Sequence, residues 1–360
     1  MTEREEEILQ KIKENPMISQ NELADMLNIT RSSIAVHISN LMKKGYIKGK
    51  GYILKENPYI CVVGGANIDI QGFPKEKLNQ NDSNPGDLKI SLGGVGRNIA
   101  ENLVKLSQNT KLITVLGDDI YGKKILEHSL SISLDINDSL ILKNKNTSTY
   151  LSILDETGDM YVAISAMDIF DELDIDFIHK KMKYINGADI TVIDTNIPQK
   201  TIEYILKTGN SKFYLDTVSV SKAKKVKDFI GYFHTIKPNK LEAEVLSGIP
   251  INNELDLDKN AEYFFNKGVK EVFITLGKDG VYYNNKKEKG IFKTKEHKVV
   301  NATGAGDAFM AGLIYSTVNN FSIKEKLSFS LAASILTMQS TDTINPDFNF
   351  DNIKKIEKEI

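Results

Sequence analysis

Apolar positions follow two different rhythms along this chain. Near the start they recur at helical spacing: Ile8, Leu9 and Ile12, then Leu23, Met26 and Leu27, then Ile34, Ile38, Leu41 and Met42. Asn15-Pro16 breaks the first helix. Ser19-Gln20-Asn21-Glu22 is a capping box that opens the second, and Thr30 can cap the third after a tight turn at Asn28-Ile29. Gly45 to Leu54 predicts a short glycine-turned β hairpin. From Tyr59 onward the rhythm changes. Strand-like runs at Tyr59–Val63, Lys111–Leu116, Asp189–Asp194, Lys212–Asp216 and Glu271–Leu276 alternate with helical stretches. That alternation predicts βα units and a mainly parallel sheet covered on both faces, with ligands bound beyond the carboxyl ends of the strands.

The 360 residues thus divide into a small module, 1–56, and a large one, 57–360. Charge sharpens the division. The formal net charge is −2, which points away from a nucleic-acid partner until it is resolved by segment. Residues 1–29 hold three basic and seven acidic side chains, whereas residues 30–55 hold six basic and no acidic ones. A basic face beside an acidic one is the footprint of a small nucleic-acid-binding module. Three helices followed by a basic hairpin resemble a winged helix-turn-helix domain. The resemblance implies a third helix that presents Arg31, Ser32, Ser33, His37 and Asn40 to a major groove, with the wing lysines Lys48 and Lys50 on phosphates. No apolar run reaches the ~18 residues of a membrane span. The N-terminus lacks the apolar core of a signal peptide, and Cys61 is the only cysteine, which excludes an internal disulfide and a cysteine-based zinc site. A cytoplasmic protein without a membrane partner is expected.

The informative residues of the large module follow its strands. Gly64-Gly65-Ala66-Asn67-Ile68-Asp69 follows the first. Gly93-Gly94-Val95-Gly96-Arg97-Asn98 opens an amphipathic helix. Lys237-Pro238-Asn239-Lys240-Leu241-Glu242, then Thr275-Leu276-Gly277-Lys278-Asp279-Gly280, then Asn301-Ala302-Thr303-Gly304-Ala305-Gly306-Asp307 complete the set, the last running into a helix over Ala308–Tyr315. A glycine loop at a helix start aims bare N–H groups at an anion. No Gly-Lys-Ser/Thr follows any such loop and no Gly-x-Gly-x-x-Gly occurs, so neither a Walker A loop nor a dinucleotide fingerprint is present. Asp307 directly follows the cradle, where a carboxylate can take a proton from a hydroxyl while the cradle neutralises a transferring phosphoryl group.

Gly93-Gly94 with Asn98, Asn239 with Glu242, and Thr303-Gly304-Ala305-Gly306-Asp307 resemble the signature motifs of the ribokinase-like (PfkB) carbohydrate kinases over about residues 59–345. The runs Thr147–Leu151, Leu154–Met160, Gly94–Leu103 and Ser340–Pro346 resemble its pseudouridine kinase branch. The resemblance implies an α/β/α sandwich with a small β lid at about 70–92 and 147–167. It also implies ATP-dependent phosphorylation of a 5′-hydroxyl, with pseudouridine as substrate. Asp307 would be the base, with Gly304, Ala305 and Gly306 as the anion hole. Asn67, Asp69, Gly93, Gly94, Asn98, Thr149, Met167 and Asn196 would meet the substrate, with Tyr150, Met160 and Tyr161 further candidates to cover its base. Asn239, Thr275, Gly277, Gly280, Thr303 and Ser334 would meet ATP. Glu242 and Asn239 would hold Mg²⁺ through water. Asn301 stands where most of the wider family has aspartate, which bears on a monovalent-cation (K⁺) site beside the anion hole. A homodimer is expected, through the lid and the winged helix. Two alternatives stay open: a kinase for another nucleoside or sugar, and a sugar- or nucleoside-sensing transcription regulator. Cys61 is expected in the core, and the lysine runs at 222–225 and 286–289 on solvated faces.

Overall fold

A computed structural model describes residues 1–49, 58–295 and 297–360. Three helices lead the chain: α1 (Glu3–Glu14), α2 (Gln20–Leu27) and α3 (Arg31–Lys43). Thr2, Ser19 and Thr30 each accept from the amide three residues on, which satisfies donors a helix start leaves free. The capping box of Ser19 and Glu22 is present, and α2 stops at Asn28 in the left-handed conformation, φ +51°. Ile8, Ile12, Leu23, Ile34 and Leu41 are fully buried between the helices. Ile47 makes a β bridge, and the expected hairpin from residue 50 on, Lys50 included, lies outside the described residues.

The large module begins with β1 (Ile60–Val63), the lid pair β2 (Asn67–Pro74) and β3 (Gly86–Gly93), α4 (Val95–Lys105), β4 (Thr110–Ile113), β5 (Val115–Gly117), α5 (Ile120–Ser131) and β6 (Leu140–Leu142). A second lid pair, β7 (Thr149–Leu154) and β8 (Met160–Ala166), is followed by α6 (Ile175–Gly187), β9 (Ile190–Asp194), α7 (Gln199–Thr208), β10 (Lys212–Asp216) and α8 (Val220–Ala223). Then come β11 (Thr235–Ile236), α9 (Lys240–Ser247), α10 (Glu254–Lys267), β12 (Glu271–Thr275), β13 (Val281–Asn284) and β14 (Lys289–Phe292). The helices α11 (Ala305–Val318), α12 (Ile323–Met338) and α13 (Phe350–Glu357) close the chain.

Among the described residues eight strands form the main sheet in the order β14-β13-β12-β11-β10-β9-β1-β4, parallel from β12 to β4 and antiparallel at the β13–β14 edge. β1 and β9 are buried at every residue, as strands covered on both faces must be. One apolar core packs α6, α7, α9 and α10 on one face, and a second packs α4, α11 and α12 on the other. Cys61 lies in the first, and burial pushes its thiol up to about 12.

The structure refines several expectations. The run Lys111–Leu116 divides at Thr114 into β4 and β5, which join different sheets. The two-residue β11 and the antiparallel edge carry no strong pattern and were not anticipated. The last glycine loop is itself the first turn of α11, which starts at Ala305. The lid is a four-stranded sheet, β3-β2-β7-β8. Behind α3, Gly45 packs against the Asn186-Gly187 end of α6, and the Lys48 Nζ lies 6.0 Å from the Tyr59 ring centroid. Both contacts fall at the amino ends of β9 and β1, so the small module docks at the end of the sheet opposite the site. Among the described residues no helix is long and apolar enough to cross a membrane.

Candidate active site

Asp307 lies buried in the first turn of α11. The Asn98 Nδ2 donates to its Oδ2 at 2.8 Å. Asn98 is itself held by Arg97, which donates to Asn98 Oδ1 at 3.0 Å and pairs with Glu101 at 3.2 Å, one helical turn on. Burial, chiefly, and the negative Asp216 and Asp194 push the Asp307 carboxyl up to about 7, against the Asn98 hydrogen bond and the charge of Lys237. A carboxylate tuned near neutrality is a competent general base, where one at its ordinary value near ~4 is weak.

The anion cradle requires its glycine. Gly304 has φ +82°, and a Cβ there would collide with the Thr343 carbonyl. Ala305 and Gly306 follow at the α11 start, where the Ala305 amide donates to the Ala302 carbonyl at 3.3 Å. The Lys237 Nζ lies 3.3 Å from where a Cβ on Gly306 would stand and 3.2 Å from Asp216 Oδ2. Burial disfavours its charge, but Asp216, Glu242 and Asp307 outweigh that and hold Lys237 above the usual lysine range. Sequence reasoning missed this buried ammonium beside the cradle. The β10–β11 register pairs Leu215 with Ile236, which sets Asp216 opposite Lys237, a pairing only the fold reveals.

On the sugar side, Asn67 Nδ2 donates to Asp69 Oδ1 at 2.6 Å, and Gly93 is bare because a Cβ would strike the Asp69 carboxylate. Burial raises the Asp69 carboxyl, against Asn67 and Arg97. Gly94 heads α4. Thr149 does not join this group. It pairs in register with Ile68 while Tyr150 pairs with Asp69, so Tyr150 shares the face of Asp69. Thr149 instead lines a separate cavity of 580 Å³ with Asp119, Tyr121, Lys145 and Asp168. Met167 and Asn196 come together through Lys222, whose Nζ reaches Asn196 Oδ1 at 2.6 Å and Met167 Sδ at 3.7 Å. Lys222 and Lys225 are thus half-buried rather than solvated, and the 286–289 run is exposed as expected.

A cavity of 570 Å³ gathers Thr275, Gly277, Gly280 and Ser334 with Ala305 and Gly306. Val299, Phe309, Leu331 and Met338 give it apolar walls, and His297, missed from the sequence, faces it. The Ser334 hydroxyl donates to the Ala305 carbonyl at 2.9 Å and so also fastens α12 to the cradle. Thr303 is exposed at the loop mouth, its amide donating to Asn301 Oδ1 at 2.9 Å, while Asn301 Nδ2 donates to the Thr341 carbonyl at 3.2 Å. Both polar atoms of Asn301 are therefore engaged within the loop.

Asn239 and Glu242 form a capping box at the start of α9. Glu242 Oε2 accepts from the Asn239 amide at 2.8 Å and from the Thr217 hydroxyl at 2.6 Å, and Asn239 Oδ1 accepts from the Glu242 amide at 2.9 Å. Glu242 Oε1 remains for a further partner, while Asn239 Oδ1 is already engaged by the Glu242 amide. The pair fits a hydrated cation held through water. Among the described residues no group of three or more histidine, cysteine or acidic side chains is gathered for a metal.

In the small module Arg31 and Ser32 are exposed at the start of α3. Ser33 is half-buried, its hydroxyl 2.9 Å from that of Thr30, and His37 turns inward with its Nδ1 buried and unpaired. Ala35, Val36, Ser39, Met42 and Lys43 are exposed in place of His37.

Residues 57–349 match the family model described as pfkB family carbohydrate kinase, and residues 1–48 match winged helix-turn-helix DNA-binding. An uncharacterized sugar kinase of Escherichia coli, YeiI, is 36% identical over 98% of both chains. The pseudouridine kinase of Escherichia coli is 38% identical over 83% of this chain and 96% of its own length. A solved structure of a candidate sugar kinase from Clostridium perfringens superposes with a TM-score of 0.78 at 42% identity, over 84% of this chain and 97% of that one. The architecture is the ribokinase-like α/β fold, preceded by a winged helix-turn-helix domain.

Proposed function

The chain belongs to the pfkB family of carbohydrate kinases, and from that premise we propose that it transfers the γ-phosphoryl group of ATP to the 5′-hydroxyl of pseudouridine. The observation that carries the chemistry is Asp307: a buried carboxylate, tuned near neutrality, at the mouth of an anion cradle with an ammonium beside it. The 38% identity to a pseudouridine kinase supports the substrate.

Asp69 accepts from the vicinal ribose hydroxyls, with Asn67, Gly93 and Asn98 around them. Asp307 takes the proton of the 5′-hydroxyl as the oxygen attacks. The amides at Gly304, Ala305 and Gly306, with Lys237, receive the charge on the phosphoryl oxygens. Glu242 Oε1 would hold, through water, a magnesium ion that would add charge neutralisation on the phosphates. Adenine lies between the apolar walls around Phe309 and Met338. Closure of the lid excludes water and so suppresses wasteful hydrolysis of ATP. The outer lid strand exposes Met160, Tyr161, Val162 and Ile164, which supports pairing of two lids.

The winged helix binds duplex DNA through Arg31, Ser32 and Lys48. An intact Asp307 and cradle favour a working kinase over a sensor that has lost its chemistry. Phosphorylation measured across pseudouridine, uridine, inosine, ribose and fructose tests the substrate: the highest kcat/KM is expected for pseudouridine, and a clear preference for a free hexose overturns the reading.

A further inference from the structure

Lys222 lies at the strand ends, and the phosphoryl chemistry leaves it without a task. It sits on α8, half-buried, and among the described residues no carboxylate pairs with its ammonium. Desolvation pulls it below the usual lysine range, against the field of Asp194. A lysine in such a place tends to be swung out to water. This one is fixed from three sides.

Asn196 is the first. Its amide N–H donates to Asp194 Oδ1 at 2.8 Å, and its side-chain oxygen accepts from Lys222 Nζ at 2.6 Å. Lys225 is the second. Its Nζ donates to the carbonyls of Thr195 at 3.0 Å and Ile197 at 3.2 Å, which pins the segment that carries Asn196. The third is Met167, where the last lid strand returns to the large module, with its sulfur 3.7 Å from Lys222 Nζ. The Asn196 Nδ2 lies 2.6 Å from where a Cβ on Gly65 would stand, two residues before Asn67. Lys222 is therefore set between the root of the lid and the turn that delivers Asn67 and Asp69.

An ammonium has three N–H donors and no acceptor. Here the Asn196 oxygen takes one and the methionine sulfur, a weak acceptor, a second. We propose that the third reads the base: Lys222 donates to a ring carbonyl oxygen of the bound nucleoside, with Asn196 as its positioning residue. This rests on the nucleoside reading above. Pseudouracil, uracil and hypoxanthine all carry a ring carbonyl, while a free sugar brings no base to this place. Lys222 thus separates carbonyl-bearing nucleosides from free sugars, without itself telling pseudouridine from uridine.

The test is K222M in the full chain, with pseudouridine and ribose compared and ribose read as a competitive inhibitor where it is not turned over. Since a hydrogen bond to a charged group is worth a factor of about 10 to 100 here, kcat/KM for pseudouridine should fall by that much. The loss should lie mainly in KM, with the ribose constants unchanged. An equal loss for ribose, or no loss for pseudouridine, overturns the proposal. A wild-type enzyme that accepts no nucleoside overturns the substrate reading and this inference with it. A wild-type nucleoside kinase indifferent to K222M overturns the role of Lys222 alone.

Discussion

Two carboxylates are buried at the same end of the sheet, and their surroundings differ. Asp194, at the end of β9, has its oxygens filled: Oδ2 accepts the amides of Gly65 and Gly96, and Oδ1 that of Asn196, all at 2.8 Å. Asp307 receives one side-chain amide, from Asn98, and shares the charge of a lysine committed to Asp216. Burial raises both carboxyls. Asp194 is saturated by backbone, and it ties β9 to the turn after β1 and to the start of α4. Asp307 is undersupplied, and that leaves it able to accept a proton. Burial alone does not mark a catalytic acid or base; the number of donors left unmade around it does.

The sharpest break of this comparison is D307N. Loss of the general base should lower kcat by a factor of about 10² to 10⁴ while nucleotide affinity is kept. Turnover near the wild-type rate would remove Asp307 from the chemistry. In the wild type, kcat/KM should rise with pH through an inflection at about 7, absent from the residual activity of the variant. Stability should move the other way. The folded carboxyl holds its proton to a higher pH than the unfolded one, so its contribution is fully present below the unfolded value near ~4 and is lost as pH rises to about 7. D307N, neutral throughout, should therefore melt higher than wild type at pH 8 and show no such gain at pH 4, as scanning calorimetry at the two pH values would read.

Lys237 comes next. Removing one preorganised positive group from a developing anion costs about 10² in kcat. Because K237M leaves Asp216 buried and unpaired, the K237M/D216N pair is the cleaner variant. If kcat recovers in the double variant, Lys237 serves the fold and not the phosphate.

D194N should do the reverse of D307N. An asparagine offers one oxygen where three amides need acceptors, and the remaining N–H₂ meets a donor. The expected loss is about 1–3 kcal/mol, seen as a lower Tm at every pH near neutrality. A D194N protein as stable as wild type would break the distinction between the two sites.

The same contrast marks what could be read from the residues alone. The cradle and Asp307 were legible because glycine geometry and a helix start are local, and so was the capping box of Ser19 and Glu22. The hydrogen bond from Asn98 to Asp307 spans 209 positions, and nothing in the sequence suggested it: the resemblance put Asn98 on the substrate. Lys222-Ala223-Lys224-Lys225 looks like a solvated run because nothing local says that α8 packs under the lid root. Thr149, expected at the substrate, lies on the face opposite Asp69, because the register of β7 against β2 is set by the whole lid and a shift of one residue exchanges the faces. His37 was a different miss. It stands three residues after Ile34 and four before Leu41, which puts it beside the apolar stripe of α3, and its spacing could have shown this.

The smallest effect expected belongs to the winged helix, docked at the end of the sheet opposite both carboxylates. Arg31 and Lys48 are the basic side chains proposed to meet DNA that the structure describes, and Lys48 already lies over the Tyr59 ring. If both meet phosphates, the R31A/K48A protein should bind duplex DNA more weakly at every sequence, and the slope of log affinity against log salt should flatten by about 2, one for each released contact. If Lys48 is held at the seam with Tyr59 instead, the slope should flatten by about 1, carried entirely by Arg31. A titration of each single variant at several salt concentrations separates the two. A slope unchanged in the double variant would take this face of α3 off the DNA. Kinase activity, built at the opposite end of the sheet, should not change in either variant.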